Sequence, residues 1–305
     1  MRQLDDSLEV NIPSPPPPSG TLLLFLKAMR PKQWTKNGVV FAGLIFGGLA
    51  LHGDSLVKSV LAFVAFCLVS SATYIINDFR DRHADALHPK KRYRPLASGR
   101  LHPQMALTAA LFMLVGTLVA SFQLSATLGI TILAYTLNSL LYSYWLKKFA
   151  IVDVLSIAIG FILRAVAGAV VLSVPISSWL LVCTAFLSLF LGFGKRKKEL
   201  LEMAHLSGQT RQSLLQYTPE LLDQMLTVVT ACTIMSYSMY TFMSGHSQWL
   251  MATIPFIFYG IFRYQSLVYM GGHGEAPDQT LLEDLPLQIT ILAWGVVSVA
   301  TIYLT

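Results

Sequence analysis

The chain has 305 residues, of which 54% are apolar and 12% charged, against about 25% charged in ordinary soluble domains. That composition excludes a soluble globular enzyme and implies one substantial helical bundle within a membrane. The net charge of +6 is carried by no soluble basic domain or helix, so it points to membrane topology and anionic substrates rather than to nucleic acid.

Residues 1–20, with the proline-rich stretch Ser14–Gly20, read as a loose cytoplasmic tail. They lack a basic start followed by an apolar core and cleavage site, so the first membrane helix is expected to be retained and residues 21–305 to form one transmembrane catalytic domain. Nine spans are predicted at roughly 34–53, 57–77, 104–122, 125–145, 152–172, 177–194, 219–242, 248–269 and 285–304. The first is glycine-rich and the fifth contains Arg164, which leaves eight spans with a re-entrant start as the alternative. Only Lys58 falls on the side reached by odd-numbered spans, while Arg164 and Arg263 lie inside spans. All other Lys and Arg collect on one side, which the positive-inside rule makes cytoplasmic, with the N-terminus.

The first span opens on Arg30-Pro31-Lys32-Gln33-Trp34-Thr35-Lys36-Asn37, a set of cations and amides at the cytoplasmic interface. Lys36 and Asn37 are candidates for substrate phosphates there, and Trp34 fits an interfacial belt as well as a substrate wall. The second span runs into Asn77-Asp78-Phe79-Arg80-Asp81-Arg82-His83-Ala84-Asp85. Continued as a helix, offsets of three and seven place Asp78, Asp81 and Asp85 within an arc of about 60°. Three carboxylates at a helix mouth repel one another and call for a counter-ion. Mg²⁺ carrying a pyrophosphate is the natural one, because hard cations take oxygen ligands and share them with substrate phosphates. A solvated helix end balanced by neighbouring cations is the competing reading. Asn77 could orient a ligand or a carboxylate. Downstream, Arg92 and Arg94 are the best phosphate grips, since guanidinium forks match phosphate oxygens, and Lys90 and Lys91 are weaker ones.

Tyr142 and Lys147 close the fourth span, Lys147 as a phosphate candidate and Tyr142 as packing. Arg164 lies near the middle of its span, where a guanidinium is costly unless paired or facing a wet cavity. It should therefore point into the bundle, while Asp153 is too far along the helix to pair with it, about 16 Å by rise. The sixth span ends on Gly194-Lys195-Arg196-Lys197-Lys198-Glu199. Glu199 could complete a metal site with Asp78, Asp81 and Asp85, and Lys195 could neutralise a phosphate; a topology anchor with incidental ion pairs is the alternative. The glycine-rich stretch 271–278 lacks the strand and the Lys-Ser/Thr ending of a nucleotide loop. Cys67, Cys183 and Cys232 have neither metal nor paired spacing.

These residues resemble the UbiA superfamily of intramembrane prenyltransferases. Its first signature, Asn-Asp-x-x-Asp-x-x-x-Asp, is matched by Asn77, Asp78, Asp81 and Asp85. The resemblance implies an all-α integral membrane protein, a nine-transmembrane-helix bundle with a lateral opening to lipid and a polar chamber on the cytoplasmic side. The usual second signature, Asp-x-x-x-Asp, reads Lys195 to Glu199 here. That departure is similar to the branch of decaprenyl-phosphate phosphoribosyltransferases. The same branch is resembled by the Arg30–Asn37, His88–Gly99 and Leu163–Gly168 blocks.

What the resemblance implies is a Mg²⁺-dependent transfer of 5-phosphoribose from phosphoribosyl pyrophosphate to a polyprenyl (decaprenyl-like) phosphate, as in cell-wall precursor biosynthesis, with pyrophosphate released. The alternative is a UbiA-type prenyltransferase acting on an aromatic or other small acceptor. On the implied chemistry Asp78, Asp81 and Asp85 or Glu199 hold the metal. Lys36, Arg92, Arg94, Lys147, Lys195 and Arg164 divide the phosphates among them. The inner (plasma) membrane and a homotrimer are further expectations.

Overall fold

In the computed structural model, residues 20–88, 91–203, 212–270, 280 and 283–304 are described. Most of the expected tail, Lys90 and the stretch 271–278 lie outside them. Among the described residues the chain is helical and contains no strand. A membrane leaves no water to satisfy backbone N–H and C=O groups, and helices satisfy their own.

In chain order the helices are α1 (Thr21–Met29), α2 (Ala42–Phe46), α3 (Gly53–Ala86), α4 (Pro103–Leu124), α5 (Ala126–Tyr144) and α6 (Val152–Val170). They continue as α7 (Ser178–Met203), α8 (Pro219–Met243), α9 (Ile254–Met270) and α10 (Leu285–Leu304). Six of them, α3, α4, α6, α7, α8 and α10, are long and apolar enough to cross a membrane. Helix α5 packs beside α4 and α6, and α9 beside α10. The protein is a multi-pass helical membrane protein.

The first expected span is corrected. Residues Pro31–Phe41 form an eleven-residue 3₁₀ segment, followed only by the five-residue α2. Long 3₁₀ runs are uncommon because their hydrogen bonds are poorer; this one is held between α3 and α6. Arg30 enters it in the left-handed region, φ 56° and ψ 61°, which turns the chain sharply after α1. Where the segment crosses α6, backbone meets backbone. A Cβ on Gly168 would lie 1.9 Å from the Val40 carbonyl oxygen, and one on Gly43 would lie 2.5 Å from that of Gly168. Small residues are what allow such approach between membrane segments.

Helix α3 is the backbone of the site. Its 34 residues give about 51 Å at 1.5 Å each, against a hydrocarbon thickness of about 30 Å. The span expected to stop at 77 instead runs unbroken to Ala86, and the surplus turns carry the aspartates beyond the apolar layer. One apolar core gathers Phe66, Val69 and Ile75 of α3 with Ile132 of α5. A second gathers Phe190 and Phe193 of α7 with Leu222 and Leu226 of α8.

Candidate active site

The helical spacing that aligns Asp78, Asp81 and Asp85 holds in the structure, and each carboxylate meets a cation from a different part of the chain. Asp78, 3% exposed, accepts from Arg30 Nη2 at 2.6 Å and from Arg94 Nη1 at 3.0 Å on the same oxygen. Arg94 Nη1 also donates to Asp85 at 2.6 Å. Two buried carboxylates thus converge on one nitrogen. Asp81, on the wetter edge, accepts from Lys147 Nζ at 2.6 Å, and the same ammonium lies 3.4 Å from the Asn77 amide oxygen. Three acids are closed by three cations, drawn from the α1–3₁₀ turn, the segment after α3 and the end of α5. Such charge-assisted bonds are short and strong, and the buried Asp78 and Asp85 need them.

Arg30 is the residue that sequence reasoning passed over as a site group. Its signal lay in the quoted Arg30–Asn37 block, but its partner is 48 residues away, beyond any helical period. The guanidinium also stacks on Tyr74, 5.1 Å from the ring centre, one turn before Asp78.

Helix α7 carries the second charged end. Lys195 and Glu199 lie 3.9 Å apart. Arg196 turns inward and is 1% exposed; its Nε donates to Asp153 at 2.8 Å and its Nη1 to Glu199 at 2.5 Å. Asp153, at the start of α6 and fully buried, also accepts from Ser213 and Tyr217, both at 3.1 Å. Burial, with the Asp153 charge beside it, pushes the Tyr217 phenol up to about 12, so it remains a protonated donor. Its oxygen accepts from the Ile151 N–H, a β-branched residue held at φ 66°. Lys36 and Tyr142 stand close enough to Lys195 to act on its charge. The α1–3₁₀ turn and the ends of α3 and α5 therefore meet at one polar region.

Three of the expected phosphate groups bond to protein partners here. Asn37 is fully buried; its carbonyl accepts from Arg164 Nε at 2.7 Å and its amide faces Cys67 and Ser70. Arg164 spends its remaining bonds on the Gly160 carbonyl at 2.8 Å and the Tyr135 hydroxyl at 2.9 Å, with its guanidinium over the Tyr135 and Phe161 rings. The pair clamps the 3₁₀ segment to α6. Arg92 is exposed, bonds the Tyr93 hydroxyl at 2.8 Å and stacks on its ring. Lys36 donates to the Gln33 side chain. Arg263, expected inside a span, reaches Asp284 with two bonds of 2.7 and 3.2 Å.

The four expected metal ligands are likewise not gathered into one cage: among the described residues no three His, Cys, Asp or Glu side chains close around a point. The donor chemistry at α3 nevertheless suits a hard dication. Asp78 and Asp85 offer only oxygens, are buried, and converge where a positive charge already sits.

A membrane bundle whose long third helix carries an acid-and-cation cluster at its polar end defines a class. The profile of the UbiA prenyltransferase family matches residues 39–282, and the chain belongs to that family. It is 36% identical to a decaprenyl-phosphate phosphoribosyltransferase of Mycolicibacterium smegmatis, over 92% of this chain and 93% of that one. It is 35% identical to one of Corynebacterium glutamicum, over 94% and 89%. Among solved structures, a UbiA homolog from Archaeoglobus fulgidus bound to GPP and Mg²⁺ superposes with a TM-score of 0.73 at 19% identity, covering 92% of this chain and 99% of the other. That last likeness is one of fold.

Proposed function

We propose that this protein moves 5-phosphoribose from phosphoribosyl pyrophosphate to a polyprenyl, decaprenyl-like, monophosphate, giving polyprenylphosphoryl-5-phosphoribose and pyrophosphate. The observation that carries the reading is the nearly full-length match to two decaprenyl-phosphate phosphoribosyltransferases. Lys195 supports it, because it puts a cation where the family's usual second signature begins with an acid.

An oxygen of the lipid phosphate attacks the anomeric carbon of the ribose. The bond from that carbon to the pyrophosphate oxygen breaks on the opposite face, and pyrophosphate leaves with the electron pair. No general base is needed, since a phosphate monoester is already anionic; positioning and electrostatics carry the step. Arg30 and Arg94 present guanidinium forks to diphosphate oxygens beside Asp78, and Lys147 adds a point charge beside Asp81. Asn77 steadies Lys147, and Lys36 and Lys195 serve a further phosphate. Asp78, Asp81 and Asp85 are the residues that would hold Mg²⁺, which when bound neutralises charge on the leaving pyrophosphate. The chamber and N-terminus are assigned to the cytoplasmic side of the inner (plasma) membrane. Residues 21–305 act as one catalytic unit behind the tail 1–20, and self-association, with a trimer as the candidate state, is part of the proposal.

The test is mass spectrometry of the lipid extract after purified protein is incubated with phosphoribosyl pyrophosphate, polyprenyl monophosphate and Mg²⁺. The expected product is a lipid heavier by one phosphoribosyl group, absent when lipid phosphate is omitted or EDTA is added. No such product from the complete mixture overturns the reading.

A further inference from the structure

The second charged helix end differs from the first in where its acid is spent. At α3 the carboxylates converge, whereas Glu199 stands apart and is gripped from behind. One of its oxygens takes Arg196 Nη1 at 2.5 Å, and the other faces the Lys195 ammonium at 3.9 Å. Arg196 is anchored in turn, with its Nε on the fully buried Asp153, which Ser213 and Tyr217 also hold. The charges along this line alternate as Asp153, Arg196, Glu199 and Lys195. A dication held by both Glu199 oxygens would displace the Arg196 contact, and one held by the other oxygen alone would sit against the Lys195 ammonium; both arrangements are unfavourable. A phosphate approaching Lys195 disturbs none of these bonds. Lys36 adds positive charge on the same side.

We infer that Glu199 is a positioning residue for the Lys195 ammonium rather than a metal ligand, with Arg196 and Asp153 as its support. The α7 end therefore presents a cation to a substrate phosphomonoester, and divalent metal falls to the α3 carboxylates. That the ligand is a phosphomonoester, on the ribose or on the lipid, rests on the phosphoribosyl-transfer reading; the assignment of Glu199 does not.

The experiment has two arms. Mn²⁺ binding to the purified protein, followed by electron paramagnetic resonance without substrate, is measured for wild type, Asp78→Asn and Glu199→Gln. Glu199→Gln is expected to hold Mn²⁺ as wild type does, while Asp78→Asn weakens it about tenfold or more. Glu199 is partly exposed, and its amide variant keeps an oxygen for Arg196 while Asp153 keeps the charge pair, so its thermal midpoint is compared with wild type before Mn²⁺ binding is read. Loss of Mn²⁺ in Glu199→Gln comparable with Asp78→Asn overturns the inference whatever the reaction proves to be. In the second arm, KM is measured for phosphoribosyl pyrophosphate and for the lipid phosphate separately. Lys195→Gln, Glu199→Gln and Arg196→Gln are expected to raise KM for the same one substrate about tenfold, with Arg196→Lys recovering part of the loss. Whichever substrate responds is the one whose phosphate Lys195 holds. Unchanged KM for both substrates in Glu199→Gln also overturns the inference.

Discussion

At the scale of single residues, burial decides which charges are available for chemistry. Asp78 accepts from two guanidinium groups on one oxygen, so Asp78→Asn removes the charge that draws Arg30 and Arg94 together while leaving the volume unchanged. Turnover is expected to fall about a hundredfold or more, with the protein still extracted from membranes as a folded bundle. Wild-type turnover in this variant would place the chemistry elsewhere. Arg164 behaves differently because its partners are the Asn37 and Gly160 carbonyls and the Tyr135 hydroxyl. Arg164→Leu strips those acceptors inside the bundle and should cost about 2 kcal/mol or more of stability. A thiol-reactive dye can follow this, since Cys67 is buried beside Asn37. An earlier thermal labelling midpoint is expected, and an unshifted midpoint would contradict the clamp.

At the scale of elements, the apolar runs made most helices legible, and the three-and-seven spacing made the acidic face of α3 legible before any contact was known. What could not be read was which elements meet. Arg164 finds Asn37 across 127 residues and Lys147 finds Asp81 across 66, and no periodicity encodes such pairings. The first span misled because its composition is apolar enough for a helix. Pro31 and the glycines instead permit a 3₁₀ segment that α3 and α6 hold in place. Gly168→Ala tests that packing, because the added methyl would lie 1.9 Å from a backbone oxygen that has no flexible end to move. Forced backbone shifts of this kind cost about 1–3 kcal/mol. A lower thermal midpoint is expected in the labelling assay, and a midpoint equal to wild type would show that the crossing is looser than drawn.

At the scale of the whole molecule, one end of the bundle holds Arg30, Asp78, Asp81, Asp85, Arg94, Lys147 and the α7 charges, while Lys58 stands at the start of α3. On the positive-inside rule the charged end is proposed to face the cytoplasm. Single cysteines placed at Lys58 or Ser244 should react with a membrane-impermeant reagent from outside intact cells, and one at Lys91 should stay protected. The opposite pattern would invert the topology. The central claim is the choice of donor, and a donor-swap assay on purified protein tests it most directly. Label from phosphoribosyl pyrophosphate should enter an organic-extractable lipid only when polyprenyl monophosphate and Mg²⁺ are both present. Incorporation from an allylic prenyl diphosphate into a small aromatic acceptor, with none from phosphoribosyl pyrophosphate, would contradict it.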